Sequence, residues 1–446
     1  MNANTQRASL FQMDGIPKMS QALPMALQHV VAMIVGCVTP AIIISGSAGL
    51  AAADRVILIQ ASLVVSALAT LLQLFPIGNR DGLHLGAGLP VILGVSFAYV
   101  PSMQAIAEAS GVSAILGAQI VGGICALLVG LTIKKIRRLF PPLIAGTVVF
   151  TIGLSLYPTA INYMAGGSGQ PGYGSWQNWV VAIFTLVVVT VLNHFAKGFL
   201  KLASILIGMT AGYIFSIPFG MVSLGSVGEA SIFQLPDVFH FGISFEASAC
   251  VALGLLFVIN SVQAIGDFSA TTAGGLNREP STQELQGAIL GYGVSNIIGA
   301  CLGCLPTATY SQNVGIVATT KVVNRVTLGL SALIILVAGL FPKFSALLTT
   351  IPYAVLGGAT VSVFASIAMT GMKLVMTEDM NYRNTSIVGL AAALGMGVSQ
   401  ASSSLSAFPE WVTTIFGKSP VVIATLVAIF LNVTLPQEKG RVKRGA

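Results

Sequence analysis

The chain has 446 residues, 55% of them hydrophobic and only 8% charged, with a mean hydropathy of +0.88. A soluble globular domain carries roughly a quarter charged residues, so the composition excludes a chain that folds in water and points to an all-α polytopic membrane protein. The formal net charge is +7, and where the positive residues fall decides whether that excess marks a nucleic-acid partner or a membrane orientation.

Apolar runs near the ~20 residues needed to cross a bilayer recur along the whole length. Bounded by charged or Gly/Pro-rich breaks, they predict spans at 24–49, 55–77, 82–101, 111–133, 141–157, 176–195, 200–223, 247–267, 285–304, 306–320, 324–341, 343–372, 384–400 and 418–436. That makes fourteen transmembrane segments. The first twenty residues are polar, so no cleavable signal peptide is expected. With the N-terminus inside, 18 of the 21 Lys and Arg fall on the cytoplasmic side, leaving only Arg55, Lys343 and Lys418 outside. This is the bias that orients membrane proteins. The basic loop KKIRR (134–138) and the tail KGRVKR (439–444) therefore read as orientation signals and not as nucleic-acid contacts. Both termini are expected in the cytoplasm of a multi-pass cell-membrane protein. The 49 glycines suit close helix packing in a bilayer. Cys301 and Cys304 form a CLGC pair, but no second pair or nearby His accompanies them, so packing is the expected role.

Two spans are poor continuous helices. The third reads LPVILGVSFAYV (89–100) and the tenth LPTATYSQNVGI (305–316). Ser96 and Phe97 follow Pro90 at the same distances at which Gln312 and Asn313 follow Pro306, and the two prolines lie 216 positions apart. Pro142 and Pro352, in the fifth and twelfth spans, lie 210 apart. Two halves of seven spans each must face opposite ways, which is a 7+7 inverted repeat. Interrupted spans at matching positions of such a repeat point to a binding site. Non-helical backbone at membrane depth must be buried in protein or line a cavity, so the two stretches are expected to pair as short antiparallel strands. Two half-helices would then begin near mid-membrane with free N–H groups at their starts.

In the eighth span Asn260, Gln263, Asp267 and Thr271 are spaced three, four and four apart and share one helical face. An intramembrane carboxylate such as Asp267 is a functional candidate, because isolating one in lipid costs at least ~2.5 kcal/mol; the plainer alternative is a hydrogen bond that ties helices together. His29 lies in the first span, the repeat mate of the eighth, and is open to the same two readings. Gln312 and Gln263 each present a donor beside an acceptor, which complements a cyclic amide edge. Phe97 is either core packing or a face for a flat ligand to stack on. With Ser96, Ser311 and Asn313 nearby, the group suits a planar heterocycle such as a purine or pyrimidine base. The sequence carries no H-E-x-x-H metal pair and no nucleotide-binding domain, so an enzyme or an ATP-driven pump is not expected, and neither is a cofactor or metal.

The stretch QNVGIVATTK (312–321) resembles the signature of the nucleobase–ascorbate transporter family, nucleobase–cation symporter family 2, matching it at Gln312, Asn313, Gly315, Thr320 and Lys321. The resemblance extends to ALQHVVAMIVGCVTPAIIISG (26–46), QAIGDFSAT (263–271), LPTATYSQNVG (305–315) and TTIPYAVLGGA (349–359). It implies a core domain of spans 1–4 and 8–11 (residues 1–138 and 241–342) and a gate domain of spans 5–7 and 12–14 (139–240 and 343–446). It also implies a substrate between the third and tenth spans, and a homodimer. The form SQNVG resembles the xanthine and uric acid branch. The resemblance thus implies a secondary transporter for xanthine or uric acid driven by H+. The alternatives are a uracil or other nucleobase carrier, a carrier without proton coupling, and an anion channel or exchanger on the same architecture. Two positions depart from the family: Gln263 stands where members carry Glu, and Tyr292 where purine members usually carry Asp. Gln keeps the hydrogen-bonding shape of Glu but cannot release a proton near pH 7.

Overall fold

A computed structural model describes residues 9–79, 82–133, 141–409, 412–417 and 419–436. Arg7, Arg80, the KKIRR loop, Lys418 and the KGRVKR tail lie outside the described residues.

Two long apolar helices, α1 (Met19–Ser47) and α2 (Ala52–Leu74), open the chain. The third predicted span then begins without a helix. A small ladder of β1 (Ile77–Gly78) and β2 (His84–Leu85) leads to an extended run ending in β3 (Leu93–Val95). Pro90 has no N–H to give a helix and biases Leu89 away from helical angles, and Val91 is β-branched. One 3-10 turn, Phe97–Tyr99, feeds α3 (Val100–Leu131). Gly111 breaks α3 with φ +77° and ψ −176°, a backbone open only to glycine, so the remainder of the third span and the fourth span meet there. Next come α4 (Pro142–Ser155), α5 (Tyr157–Met164), α6 (Trp176–Phe195) and α7 (Ser204–Ser216).

The second half begins with α8 (Ala247–Thr271) and α9 (Thr282–Cys301), whose start is fixed by a capping box between Ser281 and Glu284. Then follow β4 (Thr307–Thr309), α10 (Ser311–Thr320), α11 (Arg325–Gly339) and α12 (Pro342–Thr349). The chain finishes with α13 (Tyr353–Val375), α14 (Tyr382–Gln400) and α15 (Pro420–Thr434). The predicted twelfth span, 343–372, is split by the break before Pro352 into α12 and α13, and α11 and α12 meet at 81°. Among the described residues seven helical stretches are long and apolar enough to cross a bilayer, or eight counting that bent pair as one. The other predicted spans fall on helices that are shorter, broken or more polar. This is a multi-pass membrane protein.

Two packing groups emerge. In one, α3 packs on α8 and α9, α2 on α11, and α1 on α2 and α11, with β3 and β4 between them. In the other, α13 packs on α4, α5 and α6, α6 on α7, and α14 on α15. At the heart of the first group β3 and β4 pair antiparallel, with Leu93 opposite Thr309, Gly94 opposite Ala308 and Val95 opposite Thr307. All six residues of the pair are buried.

Small residues set the α4–α13 contact in the second group. A Cβ on Gly371 would lie 2.1 Å from the Phe150 backbone nitrogen, and one on Gly146 would lie 2.8 Å from the Gly371 carbonyl oxygen. Neither neighbour is a side chain that can turn aside, so a larger residue must separate the helices. Gly371→Leu is expected to destabilise the folded protein by about 1–3 kcal/mol, visible as a lower melting temperature in detergent. Gly389→Leu, at a position with open space around it, should leave that temperature unchanged.

Candidate functional site

Two helix starts converge because two strands pair. Ser96 closes β3: its N–H donates to the Pro306 carbonyl at 3.0 Å, and its hydroxyl accepts from Ala98 N–H at 3.2 Å, capping the turn into α3. Tyr310 closes β4, its N–H donating to the Ile92 carbonyl at 3.0 Å, and α10 begins at the next residue. First-turn N–H groups have no partner within their own helix, so both starts present donors and the positive end of a helix dipole.

A cavity of about 300 Å³ lies at these starts. One wall is Ser96, Phe97, Ala98, Gln263 and the run Thr309–Gln312, with Gly36 of α1. The facing wall is Val149 and Ile152 of α4 with Ser366, Ile367 and Thr370 of α13, so the cavity lies between the two packing groups. The amides of Gln263 and Gln312 have no protein partner among the described residues. Phe97 meets Phe364 of α13 edge-on, with ring centroids 5.2 Å apart. Among the described residues no Lys, Arg, Asp or Glu lines the space. A second cavity, of about 390 Å³, lies among α1, α7 and α12, with Ile34, Val38, Met209 and Phe344 in its walls. Its lining is almost all carbon, so it lacks the convergent polar groups that fix a ligand.

Asp267 sits behind the first wall. Its carboxylate accepts from the Thr309 hydroxyl at 2.5 Å and from the Ser311 hydroxyl at 2.8 Å, tying α8 to the end of β4 and the start of α10. Ser311 therefore serves both the cavity and this anchor. Asn313, grouped by sequence with the ligand-facing residues, points the other way. Its amide donates to His29 Nδ1 at 3.0 Å and to the His29 carbonyl at 3.2 Å. Successive helical residues differ by ~100° in direction, and the phase of α10 turns Ser311 and Gln312 to the cavity and Asn313 toward α1. Asn260 turns its amide back to the Leu256 carbonyl at 3.0 Å and does not reach the cavity.

The rest of the QNVGIVATTK run builds α10. Gly315 lies on an open face, Thr320 donates to the Ile316 carbonyl, and Lys321, at φ +60°, ends the helix with its ammonium on the Gly274 carbonyl. Tyr292 is likewise remote from the cavity. Its hydroxyl bonds that of Tyr99, and both rings pack on Phe257 at 5.6 and 4.9 Å. Sequence reasoning missed the facing wall, whose residues read as ordinary helix. It also missed Gly36, for which a signal existed: Pro40, four residues on, cannot donate to its carbonyl.

A family model described as "Permease family" matches residues 20–403. The uric acid permease PucJ of Bacillus subtilis is 35% identical over 418 residues, covering 92% of this chain and 91% of its own. The xanthine permease XanQ of Escherichia coli is 31% identical over 444 residues, covering 96% and 94%. Among solved structures, the transmembrane domain of the cyanobacterial bicarbonate transporter BicA matches in fold, with a TM-score of 0.56 at 14% identity over 93% of this chain and 98% of that one.

The anchor on Asp267 generates a stability prediction. Thr309→Val removes one donor from a buried carboxylate, at an expected cost of about 1.5–3 kcal/mol. In an Asp267→Asn background the same change should cost less, because the acceptor no longer carries charge. A double-mutant cycle on thermal unfolding measures the coupling; strictly additive losses would show that hydroxyl and carboxylate do not act on each other.

Proposed function

The chain belongs to the nucleobase–ascorbate transporter family of permeases, and from that premise we propose that it is a secondary carrier of a purine base, xanthine or uric acid, bound between the two packing groups. It is a transporter and not an enzyme. The observation that carries the substrate reading is the pair of amides, Gln263 and Gln312, without protein partners and facing one small cavity. Each offers N–H beside C=O, the complement of the N–H and C=O groups along the edge of an oxopurine. The helix starts add donors for the exocyclic carbonyl oxygens, and Phe97, packed T-shaped against Phe364, adds an aromatic ring at the cavity wall.

The two packing groups support a division into core (1–138 and 241–342) and gate (139–240 and 343–446), with fourteen segments in a 7+7 inverted repeat. Motion of core against gate would open the cavity to either side in turn. The homodimer and the cytoplasmic placement of both termini are part of the same proposal. The driving ion is proposed to be H+, with Asp267 and His29 as the groups able to carry it, since Gln263 cannot. An anion exchanger is the competing reading, favoured by the fold shared with a bicarbonate transporter; the absence of Lys or Arg from the cavity lining speaks against it.

The test is uptake of labelled xanthine, uric acid and uracil in cells lacking their own carriers, with and without a protonophore. Saturable purine uptake that the protonophore abolishes is expected; uptake of bicarbonate alone would sink the reading. Gln312→Ala should weaken base binding by roughly ten- to a hundredfold without loss of expression, since a buried bond left unmade costs about 1–3 kcal/mol. Equilibrium binding to purified protein measures it, and an unchanged affinity removes Gln312 from the site.

Gln263→Glu should make uptake depend more steeply on pH. Both side chains accept a ring N–H, but only Glu can take up and release a proton. Proteoliposomes with an imposed pH gradient provide the comparison. Identical pH profiles for parent and variant would contradict a coupling role at this position.

A further inference from the structure

A two-stranded ribbon has two outer edges, and inside a membrane each outward N–H and C=O needs a partner. The flanking bonds, Ser96 N–H to Pro306 O and Tyr310 N–H to Ile92 O, fix which backbone groups face the partner strand. Positions 92, 94 and 96 turn inward, so Leu93 and Val95 on β3 and Thr307 and Thr309 on β4 direct their N–H and C=O outward.

Two of these outward pairs, at Leu93 and Thr307, are each held at both groups by one side chain. On β3, the Thr70 hydroxyl of α2 accepts from Leu93 N–H at 3.0 Å and donates to the Leu93 carbonyl at 3.0 Å. On β4, Asn296 of α9 accepts from Thr307 N–H through Oδ1 at 2.8 Å, and its Nδ2 lies 3.4 Å from the Thr307 carbonyl. Asn296 is itself fixed, because Nδ2 also donates to the Tyr292 carbonyl at 3.0 Å and Gln119 Nε2 reaches its Oδ1 at 3.4 Å. Both clamping residues are fully buried, at 0% exposure. Thr70 lies on the second long helix of the first half and Asn296 on the second helix of the second half, so the two clamps come from corresponding elements of the proposed repeat.

We infer that Thr70 and Asn296 are a matched pair of positioning residues, one for each half-helix, which set where the two helix starts stand around the bound base. Neither touches the cavity. Leu93 is three residues from Ser96 and four from Phe97, and Thr307 is five from Gln312, so a shift of either strand moves cavity-lining groups directly. The pair also gives Tyr292 a part in the site at one remove, through the carbonyl that holds Asn296. The inference rests on the reading of the cavity as the base site, and the clamp itself is tested independently of it.

The clamp is decided on the parent protein by residue-resolved hydrogen exchange. Leu93 and Thr307 amides should exchange as slowly as Gly94 within the ribbon, although no strand covers them; fast exchange at either would overturn the clamp. The positioning role is read from xanthine binding to purified variants. Thr70→Val removes the hydroxyl at constant shape and should weaken binding by about ten- to a hundredfold, while Thr70→Ser, which keeps it, should stay within about threefold of the parent. Asn296→Leu should behave as Thr70→Val does. Rescue by Ser separates positioning from bulk packing, since Ser fills less space than Val yet restores affinity. Equal affinity for Thr70→Val and the parent overturns the positioning role. A parent that binds no purine at all overturns the substrate reading instead, with the exchange result still standing on the clamp. Where Thr70→Val cannot be recovered as monodisperse protein, Thr70→Ala with the Ser rescue gives the same contrast.

Discussion

A peptide group at the centre of a bilayer has no water to bond, and most of what is distinctive here follows from that constraint. A chain that interrupts two helices in the middle of the membrane exposes carbonyls and N–H groups that cost several kcal/mol each if left alone. Pairing β3 with β4 satisfies the inner set, and the side chains of Thr70 and Asn296 from neighbouring helices take up the outward groups of Leu93 and Thr307. The interruption is what makes a site possible, because it brings two helix starts, with their unbonded donors, into the interior. A continuous pair of helices would have offered the same space only side chains.

The ribbon in turn dictates its surroundings. Tyr310 lies across it, its hydroxyl donating to the Val95 carbonyl at 2.7 Å, and a Cβ on Gly94 would come within 2.6 Å of that oxygen. Glycine at position 94 is therefore a matter of space and not of backbone angle. Gly36 of α1 faces the same ring, with Tyr310 Oη 3.0 Å from a Cβ placed there. Asp267 completes the arrangement from α8 by holding Thr309 and Ser311, one at the end of the strand and one at the start of the helix. Carboxylate, strand and helix start are thus tied together within the first packing group, while the facing wall belongs to α4 and α13. A ligand between them touches both packing groups, and under the proposed motion of one group against the other this would couple occupancy to transport.

Much of this is legible in the sequence, and what is not has physical reasons. Pro90 and Pro306 announce the interruptions, the spacing from Gln263 to Asp267 announces a polar face, and the free amides of Gln263 and Gln312 stand at the cavity. The span boundaries were harder. The predicted fourth span begins at 111, where the positive φ of Gly111 breaks α3, but hydropathy merges α12 with α13 because both sides of their break are apolar. The direction of Asn313 depends on helical phase, which follows from where α10 starts, and no composition signal marks that to the residue. Val149, Ile152 and Thr370 look like any lipid-facing helix residue; only the approach of α4 and α13, allowed by Gly146 and Gly371, makes them a wall. Asn260 carries the same polar signal as Gln263 yet spends its amide on its own helix, which a residue list cannot foresee.

The central claim is that a purine base lies at the paired helix starts, gripped by amides from α8 and α10. An experimental density map of the protein with bound xanthine tests it most directly. The claim predicts a flat density between Ser96–Phe97 and Ser311–Gln312, with its edges within hydrogen-bonding distance of the Gln263 and Gln312 amides and β3 still paired to β4. Xanthine seated in the apolar space among α1, α7 and α12, or at the helix starts with both amides turned away, would contradict it.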